Sequence, residues 1–242
     1  MALTRLRPVA AALLIATTLI ACSKEEAAVV DPTGDEAAAE TTAAAEETTA
    51  AAPDVSPNAG EVKAGTYSNE YFGFSMDFPT EWAVASDETA EELQDMGSDI
   101  VAGDDEALKA SIEAAEQNTY QLLMVSEQPV GAPVATFNPN IVVMAEKVSH
   151  LPGIASGAEY LANVSNLLTS TDLPYEAAGE PYEVEIGGRT FHRADFSLSA
   201  AGMEINQSYL ALVDNGYALG FILSGTDESM GQLEEITDSL TF

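Results

Sequence analysis

The chain has 242 residues, of which 40 are Asp or Glu and only 8 are Lys or Arg, a formal net charge of −32. So large a negative surplus repels nucleic-acid phosphates and anionic lipid headgroups, which excludes nucleic acid as a partner and membrane binding through the protein's own surface charge. Cys22 is the only cysteine, so there is no intramolecular disulfide and no thiolate metal cluster.

Residues 1–20 pass from a short basic region, Arg5 and Arg7, into an apolar stretch of Ala, Leu and Ile, and Leu19-Ile20-Ala21-Cys22 follows. That order is the pattern of an export signal. The apolar stretch is short and alanine-rich for a membrane span, and an acidic segment follows it in place of a basic stop-transfer flank. Leu-Ile-Ala-Cys resembles the bacterial lipobox. The resemblance implies a signal peptide over residues 1–21 and a diacylglyceryl group on the Cys22 thiol, which would anchor the mature chain to a membrane of the cell envelope. Ser23, in place of Asp, favours the outer membrane if the cell is Gram-negative.

Residues 22–65 are expected to be a lipidated tether. After Cys22 they are mostly Ala, Glu and Thr and contain no aromatic residue, Leu or Ile, so they bury too little apolar surface to offset the entropy of ordering. A flexible chain of this length spans roughly 35 to 40 Å, and charge repulsion extends it further.

The folded domain is expected over residues 66–242, a single-domain length that opens on the aromatic-rich TYSNEYFGFSMDFPTEW. A helix from about Asp87 to Met96 is followed by a weak one carrying Leu108, Ile112 and Ala115. Ile141-Val142-Val143-Met144-Ala145 is apolar at both strand parities. Ser156 caps a helix whose stripe is Tyr160, Leu161, Val164, Leu167 and Leu168. Tyr182, Val184 and Ile186 alternate with Glu183 and Glu185, and Gly187-Gly188 turns the chain into a strand over 190–198. Asp214-Asn215-Gly216 joins strands over 205–213 and 217–223, a stronger hairpin signal. Met230, Leu233, Ile236 and Leu240 form the last stripe. A sheet apolar on both sides needs cover on both sides. The expected fold is therefore α+β, a three-layer α/β/α sandwich around a central, mainly antiparallel sheet.

The segment YSNEYFGFSMDFPTEW, with Phe74, Phe78, Pro79 and Trp82 in order, resembles the opening hairpin of the PsbP-like group of domains. Phe137-Asn138-Pro139-Asn140-Ile141-Val142-Val143, GYALGFILSG and EEITDSLTF resemble a middle strand and the closing strand, helix and terminal strand of its bacterial members. The group includes photosystem auxiliaries, a Ran-binding protein and bacterial lipoproteins of unknown role. The resemblance implies a non-enzymatic interaction domain. The chain departs from the photosystem members in its acidity and its lipobox-plus-tether arrangement.

No G-x-S-x-G elbow, S-x-x-K pair, Walker loop or G-x-G-x-x-G turn occurs, which gives hydrolase or nucleotide chemistry no foothold. His150 and His192 lie far apart without the spacing of a zinc site. His192 shares parity with Ala194, Phe196 and Leu198, the position of a partly buried structural histidine. Asp104-Asp105-Glu106 suits a helix N-terminus better than a calcium loop, and neither it nor Asp214-Asn215-Gly216 continues as an EF-hand. The sequence thus names one site residue, Cys22 for lipidation, with no catalytic residue, metal ligand or cofactor. The expected function is a membrane-anchored, non-enzymatic envelope lipoprotein acting in protein interaction or assembly through an envelope protein partner. A ligand- or cation-binding lipoprotein and an uncharacterised hydrolase are the competing readings.

Overall fold

The computed structural model describes residues 57–134, 136–171, 173–200 and 202–242. Cys22, the signal segment and most of the expected tether lie outside the described residues. The elements in order are β1 (Glu61–Lys63), β2 (Thr66–Asn69), β3 (Phe74–Asp77), β4 (Ala83–Val84), α1 (Asp87–Ala102), α2 (Glu106–Glu116), β5 (Thr119–Ser126) and β6 (Asn140–Lys147). They continue as α3 (Gly157–Leu168), β7 (Tyr175–Ala177), β8 (Tyr182–Ile186), β9 (Arg189–Ala200), β10 (Met203–Asp214), β11 (Tyr217–Gly225) and α4 (Asp227–Asp238).

The central sheet runs β4-β5-β6-β11-β10-β9-β7, with β8 also paired to β9, and every ladder is antiparallel. The long β9-β10-β11 meander follows from its turns. Asn215 and Gly216 both take positive φ, 49° and 82°, as a two-residue hairpin loop requires where strand twist must be matched.

Residues alternate between two cores, one on each side of this sheet. Val142, Met144, Tyr209 and Ile222 face one core with Leu93 and Val101 of α1, Ile112 of α2 and the Tyr160-Leu161-Val164-Leu168 stripe of α3. Ile141, Val143, Leu210 and Phe221 face the other, with Trp82, Leu233, Ile236 and Leu240. Helices cover the first face. The second is covered jointly by α4 and a three-stranded sheet, β1-β2-β3, whose Tyr67, Phe74 and Met76 are buried. The aromatic hairpin has enough apolar area to act as a layer itself, so the second layer is only partly helical.

Helix ends follow their caps. Ser156 Oγ accepts from Glu159 N at 3.3 Å while the Glu159 carboxylate accepts from Ala155 N at 2.8 Å. α1 runs to Ala102, past the Met96 expected from sequence, because Leu93, Gly97 and Val101 prolong its buried stripe. β1 falls inside the stretch assigned to the tether on composition. Its register places Val62 against Tyr67, and Asn69 Nδ2 donates to Asn58 O at 2.9 Å. Main-chain pairing, which composition does not report, holds this segment on β2.

Candidate functional site

β5 is flanked by β6 on one side and on the other only by β4, whose two residues pair with Ser126 and Val125. Ala85 N–H adds one bond to Met124 O at 2.9 Å. Among the described residues no strand pairs with 119–123 on that side. On the β6 side Lys147 N–H donates to Asn118 O at 2.8 Å, so ladder alternation turns the main-chain groups of Thr119 and Gln121 away from β6. The register shifts between Gln121 and Leu123, and the extra residue lets Leu122 and Leu123 both enter the second core.

A groove of about 630 Å³ runs along this half-paired edge, a size typical of ligand sites. One wall is the 57–62 segment, with Tyr67 behind it; the other is the Asp87, Ala90, Glu91 and Gln94 face of α1, with Glu116 of α2. Gly60 fits that first wall at φ +72°, where an added Cβ would lie 2.5 Å from Ser68 O. Tyr67 is 1% exposed and its phenol is pushed up to about 12 by burial, against an Asn69 hydrogen bond that lowers it. Asp87, Glu91 and Glu116 give the lining three carboxylates, and among the described residues no Lys or Arg lines it. Both polar side-chain atoms of Gln121, which also lines the groove, are buried without a hydrogen-bond partner among the described residues.

On β6, opposite Thr119, Glu146 is 1% exposed. Burial raises its carboxyl to about 8, although the Tyr160 hydroxyl, donating to Oε2 at 2.8 Å, pulls it back down. Oε1 has no partner among the described residues. At neutral pH this acid is largely protonated, which suits an interior that offers it one hydrogen bond and no cation.

A second groove, about 490 Å³, lies between β9-β10 and α4. Here the charges are mutually satisfied. Arg193 Nε donates to Asp195 Oδ1 at 2.7 Å, and its Nη2 donates to Ser208 Oγ at 2.9 Å and Glu234 Oε1 at 2.8 Å. Ser208 and Tyr182 hydroxyls also donate to Asp195, at 2.6 and 2.8 Å. Burial alone would raise the Asp195 carboxyl, but the bonds from Ser208, Arg193 and Tyr182 outweigh it and hold it below its ordinary value. With Ser208 and Asp195 committed to this guanidinium, the cluster is a tie between β8, β9, β10 and α4 and not a nucleophile with its base.

The residues singled out in the sequence are dispersed. His192 has a side chain 18% exposed, 3.8 Å from a Glu183 oxygen, as expected of a partly buried structural histidine. His150 is exposed beyond the end of β6. Asp105 caps α2, accepting from Ala107 N and Leu108 N, and Asp214-Asn215-Gly216 is the β10-β11 turn. Among the described residues no group of three or more His, Cys, Asp or Glu is arranged to hold a metal ion. Nor is any helix among them long and apolar enough to cross a membrane. The β5 edge went unread in the sequence. Glu146 had a signal there, since it continues the Val142-Met144 parity of a run apolar on both faces.

No family model matches the chain, and no curated protein matches it in sequence. Among solved structures, the cyanobacterial PsbP (CyanoP) of Synechocystis sp. PCC 6803 is similar with a TM-score of 0.43 and 13% identity, over 78% of this chain and 98% of that one. LpqN of Mycobacterium tuberculosis, involved in cell envelope biogenesis, is similar with a TM-score of 0.39 and 15% identity, over 70% of this chain and 82% of that one. A Pseudomonas aeruginosa protein of unknown function has a TM-score of 0.34 and 16% identity, over 49% of this chain and 74% of that one.

Proposed function

We propose that the protein is a lipid-anchored, non-enzymatic component of the cell envelope whose α+β domain binds another envelope protein. Cys22 is the residue that takes the lipid, and the acidic segment after it holds the domain away from the headgroups. Ser23 favours the outer membrane where the cell has one. The observation that carries the binding reading is the groove along β5, which combines a strand edge left unpaired among the described residues with a wall of carboxylates. Its three carboxylates select a partner that is basic where it touches.

Co-purification from detergent-solubilised envelopes tests this. The variant Asp87→Lys/Glu91→Lys/Glu116→Lys should lose a partner that the wild type retains. Reversal of Glu176 and Glu204, at the second groove, should not. Equal recovery of the same proteins by all three forms would contradict the reading.

A further inference from the structure

We infer that the β5 groove takes its partner as an added β-strand: an extended segment with basic side chains, hydrogen-bonded to the outward main-chain groups of Thr119 and Gln121. This rests on the reading that the groove is the binding surface, and it specifies what lies in it. Two observations converge. β4 stops at Val84, leaving 119–123 without a strand neighbour among the described residues, so the outward N–H and C=O groups there match those of an incoming strand. The groove straddles the sheet edge, since its walls come from β1 on one face and α1 on the other. A strand laid there sits about 4.8 Å from β5 and sends alternate side chains toward the two walls.

The chemistry of the walls then chooses the occupant. Side chains directed toward α1 meet Asp87, Glu91 and Glu116 and must be Lys or Arg; those directed toward the exposed Val62 meet apolar surface. Gln121 also lines the groove, and both polar atoms of its amide are buried without a hydrogen-bond partner among the described residues. The chain's own residues 23–56 are the wrong occupant, because they hold one Lys against nine Asp or Glu and like charges would face each other.

The probe is an acetylated, amidated octapeptide of alternating Lys and Val, added to the full chain in detergent and followed by hydrogen exchange and calorimetry. Amide exchange in 119–124 should slow at least tenfold at saturation, and the Glu-Val counterpart should leave it unchanged. Two further peptides carry N-methyl groups on the odd or on the even residues. Only one edge of the added strand faces β5, so one pattern should weaken binding at least tenfold and the other should not. On the protein side, Gln121→Pro removes an N–H that points away from β6 and should abolish peptide protection with the fold retained.

Equal effects of the two methylation patterns, or protection confined to α1 or the β9-β10 groove, would overturn strand addition. So would no protection by the Lys-Val peptide at millimolar concentration, the carboxylates and bulge then serving only to guard the edge against self-pairing. If Gln121→Pro still co-purifies with the envelope partner that the triple Lys variant loses, strand addition fails while the groove stands as the binding surface. If the triple variant loses nothing, the underlying reading fails first.

Discussion

Tyr160 of α3 donates its phenolic O–H to Glu146 Oε2 of β6 at 2.8 Å, with both residues 1% exposed. The helix is thus joined to the sheet by a hydrogen bond to an acid that burial keeps protonated at neutral pH, its pKa raised to about 8. In the unfolded chain the same carboxyl titrates near 4.5. The folded state therefore holds the proton more tightly, so this contribution is fully present below about pH 4.5 and is lost as pH rises through about 8. Glu146→Gln should be more stable than the wild type at pH 9 by on the order of 5 kcal/mol, the gap closing toward pH 5. Urea melts across pH 5 to 9 check this; a gap independent of pH would count against a buried, raised carboxyl.

Trp82 is 5% exposed and belongs to the core that holds Phe74, Phe78 and Phe221. Trp82→Ala should lower the unfolding free energy by about 3 to 5 kcal/mol, the range for truncating a large buried aromatic. A loss below about 1 kcal/mol in a denaturant melt would show that the β1-β2-β3 layer contributes little to the second core.

Residues 66–242 carry 30 acidic side chains and four basic ones, a net of −26. Self-repulsion of this size is relieved as the Debye length falls from about 30 Å at 0.01 M salt to about 3 Å at 1 M. The melting temperature should therefore rise with sodium chloride. Calcium at constant ionic strength should add little. A melting temperature indifferent to sodium but raised sharply by micromolar calcium would replace general repulsion with a specific cation site.

Anchoring depends on the Cys22 thiol in the present reading. Cys22→Ser should abolish labelling by a fatty-acid probe and move the protein out of the detergent phase on partition. Unchanged labelling and partition would remove the lipid from this position.

Much of the fold was legible in the sequence because long elements carry periodic signals. The Tyr160-to-Leu168 stripe, the Ser156 cap and the Asn215-Gly216 turn specify α3 and the β10-β11 hairpin by local chemistry alone. β5 was not legible, because its bulge places Leu122 and Leu123 on the same face and breaks the alternation that marks a strand. β1 was hidden for a different reason: Glu61–Lys63 buries almost nothing and is held by main-chain bonds, to which composition is blind. The candidate groove depends on both of these elements and on where β4 stops. It is a property of pairing and absent pairing across distant segments, whereas the catalytic motifs sought in the sequence are local.

A lipid-anchored domain that grips a partner along β5 should cross-link to that partner from a photo-reactive residue placed at position 91 in living cells. Glu91 is exposed on the groove wall, and Glu228, exposed on α4, is the control position. One discrete adduct is expected from position 91 and none from position 228, with the adduct lost when Gln121→Pro or Cys22→Ser is added. Adducts of equal yield from both positions, or none from position 91, would contradict binding along β5.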